Sequence, residues 1–112
     1  MNAKDHDLHV AYISHIAHIT SFALANTVLE KKKEQNTIFG LASTGFESTI
    51  RLAKSNPATR SSVITENKDN LLSVLKADIC LLQRFKDSRK NQYSNRLEKV
   101  MKNANKIKRI LK

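Results

Sequence analysis

Between His9 and Leu29 the chain contains no Asp, Glu, Lys or Arg. Val10, Ile13, Ile16, Ala17, Ile19, Phe22, Ala23, Leu24, Val28 and Leu29 would surround most of the circumference of a helix. The pattern predicts one helix from near Asp5, whose carboxylate suits the free N–H groups of a first turn, to about Lys31. At 1.5 Å per residue that is on the order of 40 Å. A helix apolar on nearly all sides must be covered on nearly all sides. A second copy, or a domain outside this sequence, is the expected source of the cover that so short a chain cannot supply.

Glu34-Gln35-Asn36 reads as a loop. Thr44-Gly45-Phe46-Glu47 has the form of a capping box, with Thr44 as N-cap and Glu47 at the third helical position. It would open a short helix carrying Ile50, Arg51, Leu52 and Ala53. Asn56-Pro57 starts the next helix, with Asn56 as cap and Pro57 at the first helical position. Leu72, Leu75, Ile79, Leu82 and Phe85 then follow steps of three and four. The pattern weakens from Ser88 to Asn95 and resumes as a stripe of Leu97, Val100, Met101, Ala104, Ile107 and Leu111. The expected fold is all-α, a helical bundle around a long central apolar helix.

Composition narrows the functional classes. Gly40 and Gly45 are the only glycines among 112 residues, so no glycine-rich loop that cradles a dinucleotide or nucleoside triphosphate can be written. The single Cys80 fits a reducing compartment, and its apolar neighbours predict a buried structural thiol. No signal peptide is expected, because Lys4, Asp5 and Asp7 stand where its apolar segment would begin. The charge-free stretch followed by Lys31-Lys32-Lys33 mimics a membrane span. Ser14, His15, His18, Ser21 and Asn26 would be costly in hydrocarbon, and a core helix is the reading adopted. The net charge of +10 is concentrated in residues 84–112, which hold eleven Lys/Arg and two acids. That end could meet nucleic-acid phosphates, with Tyr93 as a stacking candidate. The other reading is a solvated face on an amphipathic helix.

Candidate chemistry gathers on two helices. Ser14, His18 and Ser21 form a polar strip on the apolar helix, with His15 about 60° from His18. The strip is either one wall of a ligand pocket or a set of core polar groups satisfied by neighbouring helices. A metal held by His15 and His18 would need further ligands, and none is in evident reach. Ser14 beside His15 is no catalytic dyad, since adjacent helical residues point apart. Arg51 is the only cation between Lys33 and Lys54. It can snorkel to solvent, or present its planar fork to a carboxylate.

The order of these motifs resembles the C-terminal helical domain of prephenate dehydrogenases. His6-Asp7 matches the family's His-Asp. Ser14-His15-Ile16-Ala17-His18 is similar to its Ser-His-Leu-Pro-His, and Ala23-Leu24 to its Ala-Leu pair. Gly45-Phe46 with Arg51 five residues on, then Pro57 and Asn67, complete the series. The resemblance runs from about residue 3 to 86, giving a family-like domain at 1–87 and a basic amphipathic C-terminal helix at 88–112. Three positions depart from the pattern. Ala17 replaces a proline and should leave the helix straighter, with more complete hydrogen bonds. Thr44 replaces a glycine, and Arg60 stands where tryptophan is common.

The resemblance implies part of a cytoplasmic enzyme that oxidatively decarboxylates prephenate to 4-hydroxyphenylpyruvate on the route to tyrosine, with arogenate as the alternative substrate. NAD or NADP and the catalytic histidine would belong to a dinucleotide-binding domain that this chain lacks, and the fragment is not expected to be active alone. Arg51 would bind a substrate carboxylate, and His18, with His15, would line the substrate pocket. Tyrosine, sharing the ring and a carboxylate, is a second expected ligand. The domain would form an interlocked homodimer, and Met1 would be internal to a longer protein or an artificial start. The alternatives are a free-standing, non-catalytic homodimerisation module using the Leu97–Leu111 stripe, and a basic nucleic-acid binder.

Overall fold

The computed structural model of the chain describes residues 2–87 and 93–111, and their regular structure is entirely helical. The predicted first helix is present as one continuous element, Ala3–Lys32. It consists of α1 (Ala3–Val10), a widened π turn (Ala11–His15) and α2 (Ile16–Lys32). Its cap is Asn2 and not Asp5. Asn2 is extended, and its side-chain oxygen accepts from the Asp5 N–H at 2.8 Å. Asp5 lies within the first turn, where its charge still suits the dipole. Ala17 lies within regular α2, and the ladder departs from α geometry just upstream of it. In the π turn the Ile16 N–H reaches back five residues to the Ala11 carbonyl, so the turn holds one residue more than an α-ladder would.

After a turn at Ile38–Leu41 come α3 (Thr44–Ile50), a tight 3-10 turn (Arg51–Lys54), α4 (Pro57–Glu66) and α5 (Lys68–Lys86). Asn56 and Pro57 open α4 as expected, with the Asn56 side chain accepting from the Thr59 N–H at 3.1 Å. The capping box does not form. Ser43 is the extended residue before α3, so Thr44 is already helical and Glu47 falls one position too late to reach back. Phe46 instead packs on Phe39, with ring centroids 6.2 Å apart. Lys32 Nζ lies 5.7 Å from the Phe39 ring centre, which ties the end of α2 to the 38–41 turn through cation–π attraction.

Two units are distinguished along the chain, Met1–Val74 and Leu75–Lys112. In the first, α2 packs most closely on the Arg51–Lys54 turn. Ser21, 2% exposed, makes that junction: its hydroxyl donates to the Thr49 carbonyl at 2.9 Å and accepts from the Ala53 N–H at 3.1 Å. A second tie joins α1 to the α4–α5 corner, where Asn67 Nδ2 donates to the Asp7 carbonyl at 2.7 Å. Among the described residues the buried apolar side chains are Ala11, Leu71 and Val74, and the buried polar ones are His15, His18 and Ser21.

The long helix is therefore turned polar side inward. Leu8, Tyr12, Ile13 and Leu29 are exposed, Ile13 at 80%. By length and composition this helix could cross a membrane, yet its inward face is the polar one.

The second unit holds the remainder of α5, α6 (Tyr93–Ala104) and a 3-10 turn (Asn105–Arg109). The Leu97–Leu111 stripe is thus only partly α-helical. Leu97 and Val100 are half-buried, whereas Met101, Ile107, Ile110 and Leu111 are exposed. On α5 the predicted stripe residues Leu72, Ile79 and Leu82 are about half-exposed at 50%, 48% and 55%. Cys80 is exposed and not a buried thiol. It sits nine residues after buried Leu71, about 180° around the helix. The start of the weak pattern, residues 88–92, and the Tyr93 side chain lie outside the described residues.

Ser21→Ala would remove the hydroxyl that joins the Ala53 N–H and the Thr49 carbonyl to α2. A hydrogen bond of this kind contributes about 0.5–1.5 kcal/mol net. Urea denaturation of the variant is expected to show a loss of that size with an unchanged slope, and equal midpoints would remove Ser21 from this role.

Candidate functional site

Two of the three predicted site residues, Arg51 and His18, flank one junction along the chain. Ser21 clamps the backbone on both sides of Arg51, at Thr49 and Ala53, to α2 three residues beyond His18. Arg51 itself is exposed at the start of its 3-10 turn, and among the described residues its guanidinium makes no hydrogen bond or ion pair. Its fork is open to a ligand or a partner. His18 is buried, with Nδ1 3.0 Å from the Ser14 carbonyl. Only an N–H can satisfy a carbonyl, so in the neutral ring Nδ1 carries the proton and Nε2 is the acceptor. The inward polar strip is thus largely a satisfied core feature: His18 bonds to Ser14, and Ser21 to Thr49 and Ala53.

His15 is the exception. It is 4% exposed, and its Nδ1 is buried without a hydrogen-bond partner. The ring borders a cavity of about 280 Å³ whose lining includes His6, Asp7, Glu66 and Asn67. Asn67 is spent on structure, donating to the Asp7 carbonyl and accepting from Asn70 at 2.9 Å. His6 Nδ1 lies 3.8 Å from the Asp7 carboxylate, both largely exposed, so that pair is worth little. Burial, followed by the charges of His18 and Arg60, holds the His15 imidazole below its usual range, and Asp7 opposes them. His15 thus presents a buried, unpaired ring nitrogen at a cavity wall.

Arg60 has a place here that sequence reasoning missed. It appeared only as the loss of a packing tryptophan. In the fold it is half-buried on α4, acts electrostatically on His15, and borders a second cavity with Ile19 and Phe22 of α2. The signal available was its position three residues after Pro57, on the first turn of a short helix. Neither cavity contains Arg51 or His18 in its wall. The structure brings Arg51 and His18 to one junction through the backbone, not into a shared cavity of the protomer.

A third cavity, about 510 Å³, lies in the second unit, bordered by Leu81, Arg84, Asp87, Arg96 and Lys99, and includes none of the predicted site residues. Among the described residues no group of three His, Cys, Asp or Glu is placed to hold a metal.

Residues 2–103 match the family described as prephenate dehydrogenase, dimerization domain. The chain belongs to that family. The match extends the family domain beyond residue 87, where the recognisable motifs end, and into α6. A cyclohexadienyl dehydrogenase of Zymomonas mobilis subsp. mobilis is 28% identical over 113 residues, an alignment that takes in 100% of this chain and 39% of that enzyme. The chain therefore spans well under half the length of this relative. No solved structure matches it.

For this dimerization domain, the depressed basicity of His15 has a signed consequence. The unfolded chain takes up a proton near pH 6.5 and the folded one at lower pH. Acid therefore favours unfolding: the effect is absent well above about pH 6.5, grows as pH falls through it, and levels off below the folded value. His15→Gln should flatten the decline in stability between about pH 7 and pH 5. Urea melts across that range test this, and parallel declines in parent and variant would refute it.

Proposed function

We propose that the chain is the helical C-terminal portion of a cytoplasmic dehydrogenase that oxidatively decarboxylates prephenate to 4-hydroxyphenylpyruvate, in the biosynthesis of tyrosine. The observation that carries this reading is the family match over residues 2–103. The 39% coverage of the cyclohexadienyl dehydrogenase supports it, since it leaves room for a preceding nucleotide-binding domain. That domain would hold NAD or NADP and the group that takes the substrate hydroxyl proton. This portion would supply the floor of the substrate pocket and the dimer.

In this reading Arg51 receives a substrate carboxylate, and His18, with His15, lines the pocket. Support comes from the unpaired, exposed guanidinium of Arg51 at the Ser21 junction, and from the buried His15 Nδ1 that lacks a hydrogen-bond partner. Tyrosine would compete for the same contacts. The cytoplasmic setting suits a chain with one free thiol. A homodimer is supported by the family description and by the half-exposed Leu72, Ile79 and Leu82 of α5 with the outward Ile13 of the long helix. Large exposed apolar patches mark such interfaces.

In the intact enzyme Arg51→Ala should lower kcat/KM by about 10- to 100-fold, the worth of a charge-assisted pair of hydrogen bonds. A folded variant with unchanged kcat/KM would reject the role. Ile79→Asp with Leu82→Asp should shift the sedimentation coefficient from dimer to monomer. A dimer that persists at the same protein concentration would place the interface elsewhere.

A further inference from the structure

Within the second unit, α6 and the C-terminal end of α5 border a cavity of about 510 Å³. Two helical faces build it. Leu81, Arg84 and Asp87 follow one another at steps of three along α5 and its last turn, where the Asp87 N–H still donates to the Gln83 carbonyl at 2.7 Å. Arg96, Lys99, Val100 and Asn103 form the other wall, at steps of three and four along one face of α6. The cavity thus gathers three cations against one carboxylate. Among the described residues none of these cations lies within ion-pair distance of an acid. Glu98, the one acid of α6, is spent on Lys102 at 3.0 Å, and neither of that pair borders the cavity. Like charges gathered round one hollow repel each other, and the field they focus into it favours an anion.

We propose that this cavity binds a phosphate monoester with a hydroxylated body, of the size and chemistry of a sugar phosphate, its phosphate held by Arg84, Arg96 and Lys99. The volume falls well inside the range of small-molecule sites, about 300–1,000 Å³. A phosphate monoester carries about −1.5 to −2 charges near pH 7, which matches the excess of cations in the wall. Its oxygens accept the paired N–H groups of a guanidinium fork. A nucleic-acid strand spreads its charges singly along its length, and among the described residues no aromatic ring borders the cavity for a base to stack on. Asp87 sets the character of the rest of the ligand. An ionised carboxylate only accepts hydrogen bonds, so it repels a second acidic group and receives a hydroxyl. Asn103 offers both a donor and an acceptor, and Leu81 and Val100 give the carbon skeleton an apolar floor. The inference does not rest on the dehydrogenase reading, since Arg51, His15 and His18 do not border this cavity.

The test is a titration of the 112-residue chain, followed by backbone amide shifts, with glucose 6-phosphate, inorganic phosphate, glucose and a single-stranded oligonucleotide. Glucose 6-phosphate is expected to move Leu81, Val100 and Asn103 in a saturable way, inorganic phosphate to bind more weakly, and glucose to leave them in place. Arg84→Gln and Arg96→Gln should each weaken the ester by about tenfold or more. Both side chains are exposed, so the fold should survive, and unchanged amide shifts away from the cavity would show it. Lys106→Gln removes the same charge outside the cavity and should bind like the parent. Asp87→Asn should narrow the gap between the ester and inorganic phosphate. No saturable shift at millimolar concentrations would overturn the proposal, as would an equal loss of affinity in Lys106→Gln, which would make net charge the cause. Inorganic phosphate binding as tightly as the ester would overturn it too, leaving an adventitious ion only. An oligonucleotide that binds more tightly than the ester, with an affinity that falls steeply between two salt concentrations, would give this end of the chain to nucleic acid instead.

Discussion

The hydroxyl of Ser21 is the contact on which the site's geometry depends. It is the most deeply buried polar side chain named here, and it bridges the Thr49 carbonyl and the Ala53 N–H. Because it grips the chain on both sides of Arg51, the position of that arginine relative to α2 is set by a buried oxygen and not by the arginine's own contacts. A guanidinium on an exposed turn is normally free to wander with its backbone. Here the backbone is fastened, and only the side chain retains freedom.

The second constraint is the inverted character of the long helix. A surface helix ordinarily hides its apolar stripe and shows water its polar one. This one hides His15, His18 and Ser21, and shows Ile13, Tyr12 and Leu29. Among the described residues the buried apolar side chains are only Ala11, Leu71 and Val74, so little hydrophobic stabilisation comes from them. The family matched over residues 2–103 is described as a dimerization domain.

Much of the architecture was legible because it is written in period and punctuation. Long apolar runs at steps of three and four marked the helices, and Asn56-Pro57 marked a start that the structure repeats. Errors fell where one residue of register decides the outcome. Thr44 and Ser43 are both competent caps, and backbone conformation, invisible in sequence, chose Ser43 without using its side chain. Cys80 and its apolar neighbours looked like core, because apolar character reveals the wish for cover and not its source. The site was half legible. His18 and Ser21 were recognised as a strip, but which member would be left unpaired depended on tertiary neighbours. Arg60 was passed over because its importance arises from α4 lying against α2, a contact across some forty residues of sequence that no local pattern reports.

The π turn at Ala11–His15 has a bearing on how this helix tolerates change in length. One surplus residue puts everything upstream about 100° out of phase with a continuous α-ladder. Asp7, whose carbonyl Asn67 grips, and Val10, beside the His15 cavity, are angled by that offset. Deleting a single residue from the turn would let the ladder close and swing the N-terminal segment around its own axis. The spare residue therefore acts as a rotational setting: it aims the front of the helix without lengthening any loop.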